Sequence, residues 1–144
     1  MGALYPLKFQ PILKDKIWGG QKLKHILNKP TTSTQAGESW EISDVEGDTS
    51  IVANGSLKGT SLKSLIKTYT ADLLGQKNHR QFGTKFPLLI KFIDAKADLS
   101  VQLHPNDALA KARHNSFGKT EMWYVLQADS DSNLIVGFNQ KMTQ

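Results

Sequence analysis

The apolar residues of this chain come in short runs of strand length, separated by turn-forming residues. Candidate strands cover residues 37–45, 49–53, 86–95, 99–104, 121–128 and 134–138. No glycine-rich loop follows a strand and opens a helix, which argues against a parallel sheet that binds nucleotides. The pattern predicts instead a mainly β fold, a sandwich or barrel of largely antiparallel strands.

Two helices are predicted between these strands. The first begins at Thr60 or Ser61, either of which can cap it, and Gly75 stands where a helix stop is expected. Its apolar residues follow helical spacing: Leu62, Leu65, Ile66, Tyr69 and Leu73. Residues 106–114 predict a second, shorter helix. The expected fold is therefore mainly β with one or two short helices.

The length of 144 residues suits one domain with a real core, and we expect residues 1–144 to have no internal boundary. The chain ends a few residues after the last candidate strand, which leads us to expect an incomplete domain. It contains no cysteine, so disulfides, thiolate nucleophiles and cysteine-based zinc sites are excluded. Any metal would be held by His, carboxylate or amide oxygen.

The net charge of +5 favours an anionic partner. The lysines are scattered, without the aromatic and basic pattern of RNA binders or a recognition helix, so we expect no nucleic-acid partner. The longest apolar stretch, residues 86–90, is broken by Lys91 and is far too short to cross a membrane. No apolar block of signal-peptide length opens the chain, and we expect a cytoplasmic protein.

Three polar side chains on two candidate strands form a candidate metal site. Strand alternation places Gln102 and His104 on one face, where both side chains can reach one cation. By itself, this pair is better explained as the solvated face of an edge strand. Glu121 opens an otherwise apolar strand, where it is either exposed to water or bound to a ligand. Together the three residues would suit zinc, manganese, iron or cobalt.

Three further residues have a functional and a structural interpretation each. Lys91 lies in a run that is apolar on both faces, so it either extends past its neighbours to water or points inward at a phosphate or carboxylate. Lys119 projects to the same side as Glu121 if the chain is extended there, or else lies in a solvated loop. Trp18 precedes two glycines, which fits a sugar-stacking element or a packed turn.

Five motifs occur together and in order. They are Trp18-Gly-Gly, Gly37-Glu-Ser-Trp-Glu-Ile-Ser43, Phe86-Pro-Leu-Leu-Ile-Lys91, Leu99-Ser-Val-Gln-Leu-His-Pro-Asn106 and Gly118-Lys-Thr-Glu-Met-Trp-Tyr124. Together they resemble the type I mannose-6-phosphate isomerases (phosphomannose isomerases), in particular the short bacterial subgroup. The resemblance covers essentially the whole chain, but only the N-terminal part of a family member.

The resemblance implies a cupin fold, which is a β jelly roll or double-stranded β-helix, here incomplete. It implies one zinc ion per chain, with Gln102, His104 and Glu121 as three of its ligands. A fourth ligand, which is a His, and an Arg assigned to catalysis belong to the later family sequence and have no counterpart in this chain. Longer relatives also carry a His where this chain has Gly118, which argues against proton transfer by a His there. The family's Lys corresponds to Lys119.

The implied reaction interconverts mannose 6-phosphate and fructose 6-phosphate by moving a proton between C1 and C2 through an enediolate. A metal would polarise substrate oxygens or water, and Lys119 would transfer a proton or steer the substrate. The implied substrate-binding residues are Ser100, Lys91 and Trp18. The partner is thus a small sugar phosphate, and open sheet edges would let the chain self-associate. The alternative is a cupin that binds a sugar or sugar phosphate without turnover, and we expect this chain alone to be nearly inactive.

Overall fold

The computed structural model describes residues 3–141, which fall into two compact units. The first unit extends to Ser100 and the second begins at Val101, and each is described by itself. The strands are β1 (Ile12–Gly20), β2 (Ala36–Ile42), β3 (Asp44–Val45), β4 (Asp48–Thr49) and β5 (Ile90–Ile93). The helices are α1 (Lys22–His25), α2 (Leu62–Tyr69), α3 (Ala71–Leu74), α4 (Gln76–Phe82) and α5 (Asp107–His114).

The first unit is built on a three-stranded antiparallel sheet in the order β1-β2-β5. Trp40 in the central strand is paired with Ile12 of β1 and with Lys91 of β5. Strands β3 and β4 form a second, two-stranded antiparallel sheet. Its turn contains Gly47 at φ +82°, a backbone conformation that favours glycine. The strand predicted over residues 37–45 is divided at Ser43 into β2 and β3, which belong to different sheets, whereas the turn after it and the antiparallel pairing are confirmed.

Helix α2 forms because its apolar residues lie on one face and its first turn is capped. The Ser61 hydroxyl accepts a hydrogen bond from the backbone N–H of Ser64 at 3.2 Å, as an N-cap does. The buried face packs Leu65 and Tyr69 against Val52. A buried aliphatic side chain such as Leu65 contributes about 1.5–3 kcal/mol relative to an exposed one. The helix ends at Tyr69 instead of continuing through Leu73, because Thr70 has a positive φ of 45°.

The expectation of one or two helices was too low, since the described residues contain five short ones. The helix predicted over residues 106–114 is confirmed as α5, and the Asn106 side chain caps it by accepting from the N–H of Leu109 at 2.9 Å. Helices α3 and α4 were missed because they are only four and seven residues long and bury no side chain fully. An amphipathic period cannot be recognised over so few residues.

Three predicted strands are not formed. Residues 99–104, 121–128 and 134–138 have no strand conformation. The prediction for residues 86–95 is met only by β5, and the prediction for residues 49–53 is met only at Thr49, the end of β4. These segments do contain the apolar residues of a strand, but a strand also needs a neighbouring strand to satisfy its backbone hydrogen-bonding groups. Between residues 101 and 141 the structure contains no strand that could pair. Apolar side chains of these segments, such as Val101 and Met122, accordingly stay exposed.

None of the helices in the described part of the chain is long and apolar enough to cross a membrane.

Candidate functional site

The second unit brings two of the predicted metal ligands together. His104 Nε2 lies 3.5 Å from Glu121 Oε2, and the two side chains are 25% and 32% exposed. This distance is longer than an ordinary N–H···O hydrogen bond. Two ligands of one tetrahedral zinc ion, each about 2.1 Å from the metal, lie about 3.4 Å apart. The imidazole nitrogen and carboxylate oxygen therefore have the chemistry and the separation of a ligand pair.

The start of helix α5 positions Glu121 beside His104. The Gly118 N–H donates to Asp107 Oδ1 at 2.9 Å, and the Lys119 N–H donates to the Pro105 carbonyl at 3.4 Å. The segment before Glu121 is thereby held against the residue that follows His104. A Cβ on Gly118 would lie 2.6 Å from the backbone nitrogen of Asp107, so only glycine fits. This close contact explains why a His cannot occupy this position here.

Lys119 is the cation of this site. Its Nζ lies 3.3 Å from Glu121 Oε1, while the other carboxylate oxygen of Glu121 faces the imidazole. Glu121 thus links the two groups through its two oxygens. The Lys119 side chain is 48% exposed, which leaves its ammonium accessible to a ligand. This arrangement can hold a divalent ion on one side of the carboxylate and a proton donor on the other.

Gln102 lies two residues before His104 and is exposed. Within residues 3–141, no three His or carboxylate side chains are clustered so that they could hold an ion. Gln102 as a third ligand, through its amide oxygen, stays a prediction. The donor set of imidazole, carboxylate and amide oxygen fits zinc and similar divalent ions.

Lys91 belongs to the first unit, on the face of the sheet that carries Glu38 and Trp40. Its Nζ donates to Glu38 Oε1 at 2.9 Å, and its side chain is only 20% exposed. Trp40 Nε1 donates to Glu38 Oε2 at 2.8 Å, and Lys16 Nζ lies 4.0 Å from the same oxygen. The ammonium of Lys91 is thus paired with a buried carboxylate instead of extending freely into water. Its role in substrate binding stays a prediction.

Glu38 is a functional candidate that the sequence interpretation missed. Burial by itself would raise its pKa, but the hydrogen bonds from Trp40 and Lys91 and the charges of Lys91 and Lys16 outweigh it and hold the pKa below its ordinary value. A signal was present in the sequence, since Glu38 and Trp40 stand two residues apart in a predicted strand and so share one face of it. The sequence does not reveal the strand register that places Lys91 opposite Trp40 and beside Glu38.

Trp18 lies beside a cavity of about 310 Å³ in the first unit, which is also lined by Gln21, Gln35 and Lys96. The Trp18 carbonyl accepts from the Lys96 N–H at 2.8 Å, so the backbones of these two lining residues are held together. The glycine after Trp18 has a packing role, since a Cβ on Gly19 would lie 2.6 Å from the backbone nitrogen of Gly37. Ser100 is exposed, and its role also stays a prediction.

Comparison with known proteins assigns the family. Residues 6–132 match the catalytic domain of phosphomannose isomerase type I. The chain is 40% identical over 135 residues to mannose-6-phosphate isomerase ManA of Bacillus subtilis, which covers 93% of this chain and 41% of that protein. It is 38% identical over 136 residues to the mannose-6-phosphate isomerase of Streptococcus mutans, covering 94% of this chain and 42% of that protein.

A solved structure gives the same result. The crystal structure of the mannose 6-phosphate isomerase from Bacillus subtilis matches this chain with a TM-score of 0.70 and 35% identity, over 78% of this chain and 35% of that one. The chain therefore belongs to the type I phosphomannose isomerase family, which confirms the resemblance of the motifs. It spans about two fifths of the length of the curated relatives that it matches.

Proposed function

We propose that this chain supplies part of the active site of a cytoplasmic, metal-dependent aldose–ketose isomerase that interconverts mannose 6-phosphate and fructose 6-phosphate. The observation that carries the proposal is the spacing of His104 Nε2 and Glu121 Oε2, 3.5 Å, with Lys119 on the other carboxylate oxygen. Family membership supports the reaction, and the antiparallel sheets support a cupin-type jelly roll. Since the chain spans 41% of ManA, the activity belongs to a protein of the relatives' full length.

The proposed metal is zinc, held by His104, Glu121 and Gln102. Such an ion would supply positive charge that stabilises an oxyanion on the substrate. The chain's own contribution is to fix the ligands: Pro105 and helix α5 hold the segment that carries Glu121. Because this segment is tied by two hydrogen bonds, the carboxylate is in place before a ligand arrives.

Lys119 is the proposed group for proton transfer or for steering the substrate. Isomerisation needs a group that can hold a proton near C1 and C2 while the enediolate exists. The Lys119 ammonium has three N–H donors, and one faces Glu121 at 3.3 Å. The remaining donors are free to face a substrate oxygen or phosphate. Its partly exposed position gives a ligand access from solvent.

The other proposed substrate contacts are Ser100, Lys91 and Trp18. Lys91 contributes a shielded cation, held by Glu38. Trp18 contributes an aromatic wall beside Lys96, a combination that suits the apolar face of a sugar and an anionic group. The Ser100 hydroxyl, exposed at the end of the first unit, is suited to hydrogen-bond a sugar phosphate.

The test is a chimaera in which this chain replaces the matching segment of Bacillus subtilis ManA. We expect it to form fructose 6-phosphate from mannose 6-phosphate in a coupled assay, and to lose activity when a chelator removes the metal. His104→Ala and Glu121→Ala should each lower kcat on the order of 100-fold, whereas His114→Ala should have little effect. The 144-residue chain alone should show at most traces of turnover.

Three results would contradict the proposal. One is undiminished turnover by both ligand variants of the chimaera. Another is robust, metal-dependent turnover by the chain alone, since this would make the remaining length of the relatives dispensable. A chimaera that binds mannose 6-phosphate without converting it would support the alternative, a cupin that binds a sugar phosphate without catalysis.

A further inference from the structure

Glu38 is a buried carboxylate on the central strand of the sheet, and both of its oxygens accept hydrogen bonds. Its side chain is 9% exposed; Oε1 is bonded to Lys91 and Oε2 to Trp40. A charge in such surroundings is costly unless it is paired and hydrogen-bonded. The two bonds meet this requirement, so the carboxylate stays ionised and fixed in place.

The pairing restricts Lys91 more than it restricts Glu38. A lysine ammonium sits on a flexible four-carbon stem and loses conformational freedom when it is held by a ligand. Here Lys91 stands opposite Trp40 in the sheet register, and its ammonium is tied to Glu38. One N–H is directed to Glu38, which leaves two donors for an anionic ligand. The ammonium is therefore already placed before any ligand binds.

We propose that Glu38 is a positioning residue that holds the ammonium of Lys91 ready for an anionic sugar phosphate. This inference rests on the proposed function, in which Lys91 binds the substrate. Glu38 itself need not touch the ligand; it acts through Lys91. Trp40 supports the carboxylate from the other side, which keeps Oε1 facing Lys91.

The same strand offers a matched control. Glu41 also forms an ion pair with a lysine, since Lys29 Nζ lies 2.8 Å from its Oε2, and Ser39 donates to its other oxygen at 2.6 Å. Glu41 is an odd number of residues from Glu38, so it belongs to the opposite face of β2. Glu41→Gln therefore removes a comparable ion pair of the same strand without touching Lys91.

The experiment measures the affinity of the full 144-residue chain for mannose 6-phosphate by NMR titration, together with the Nζ signal of Lys91. Glu38→Gln should weaken the affinity roughly tenfold, as loss of a supporting partner typically does. It should also shift or broaden the Lys91 signal. Glu41→Gln should leave the affinity within about twofold of that of the unaltered chain, and the Lys91 signal unchanged. Thermal unfolding of each variant shows whether the fold is kept, and Glu38→Asp provides a second variant that retains the charge.

A double-variant cycle separates the outcomes. Lys91→Met should weaken mannose 6-phosphate binding, and adding Glu38→Gln should weaken it little further, because both act through one group. Additive losses, or a normal Lys91 signal in Glu38→Gln, would overturn the positioning role. If Lys91→Met leaves the affinity unchanged while the Lys91 signal still depends on Glu38, the proposed substrate role of Lys91 fails although the ion pair is real.

Discussion

At the scale of the residue, the charge of Glu38 is decided by its neighbours and not by its burial. Burial would favour the neutral acid and raise the pKa, but Trp40, Lys91 and Lys16 all favour the anion and lower it. A lowered pKa means that the folded chain binds the proton of Glu38 less readily than the unfolded chain does. Folding stability and pH are therefore linked through this residue.

We predict that Glu38 stabilises the fold at neutral pH and loses this effect in acid. Its contribution is fully present above the ordinary Glu value of 4.5 and declines as the pH falls through the lower pKa of the folded state. Urea unfolding between about pH 3 and pH 7 should show that the gap in unfolding free energy between the unaltered chain and Glu38→Gln narrows in acid. A gap that stays constant over this range would contradict the lowered pKa.

At the scale of the element, helix caps and single strands could be predicted from the sequence, but the pairing of strands with one another could not. The caps of α2 and α5 at Ser61 and Asn106 follow from residues within one helical turn. Strand β2 follows from its own alternation. By contrast, the Glu38–Lys91 pair joins residues 53 positions apart, and the side chains meet only because of the sheet register. Residues 121–128 have the composition of a strand but lack a neighbouring strand to pair with, so the strand predicted there does not form.

Helix α5 is the element that we expect to control the candidate metal site. Gly118→Ala would place a Cβ against the backbone of Asn106 and Asp107, which cannot swing aside as a side chain can. We predict a loss of about 1–3 kcal/mol in unfolding free energy and weaker zinc binding, because Glu121 would be displaced from His104. Thermal unfolding and zinc titration check this, with Ser116→Ala as the nearby control. Normal zinc affinity in Gly118→Ala would show that this contact does not position the ligands.

At the scale of the whole molecule, charge and apolar surface are unevenly distributed. Residues 58–85 contain six Lys or Arg and one Asp, while the rest of the chain has twelve of each sign, so this segment accounts for the net charge of +5. The charge therefore belongs mainly to the helical segment and says little about the candidate site. Exposed apolar residues concentrate elsewhere, among them Met122, Tyr124, Val125 and Val136.

We predict that the apolar segment from Met122 to Phe138 makes the chain self-associate. Exposed runs of strand-forming residues tend to pair with other chains. Sedimentation velocity should show a concentration-dependent increase in mass, reduced by Val125→Lys because a charge opposes such pairing. Ile26→Lys is the control, since Ile26 is also exposed, at 52%, but lies outside the segment. Equal effects of the two substitutions would show that the segment is not the site of association.

The central claim is the metal site, and metal content after dialysis tests it most directly. The 144-residue chain, incubated with zinc and dialysed, should retain about one ion per chain, more weakly than a full-length relative. His104→Ala and Glu121→Ala should lose most of this zinc, Gln102→Ala should lose part of it, and His114→Ala should keep it. Equal zinc in the unaltered chain and in the His104 and Glu121 variants would contradict the site.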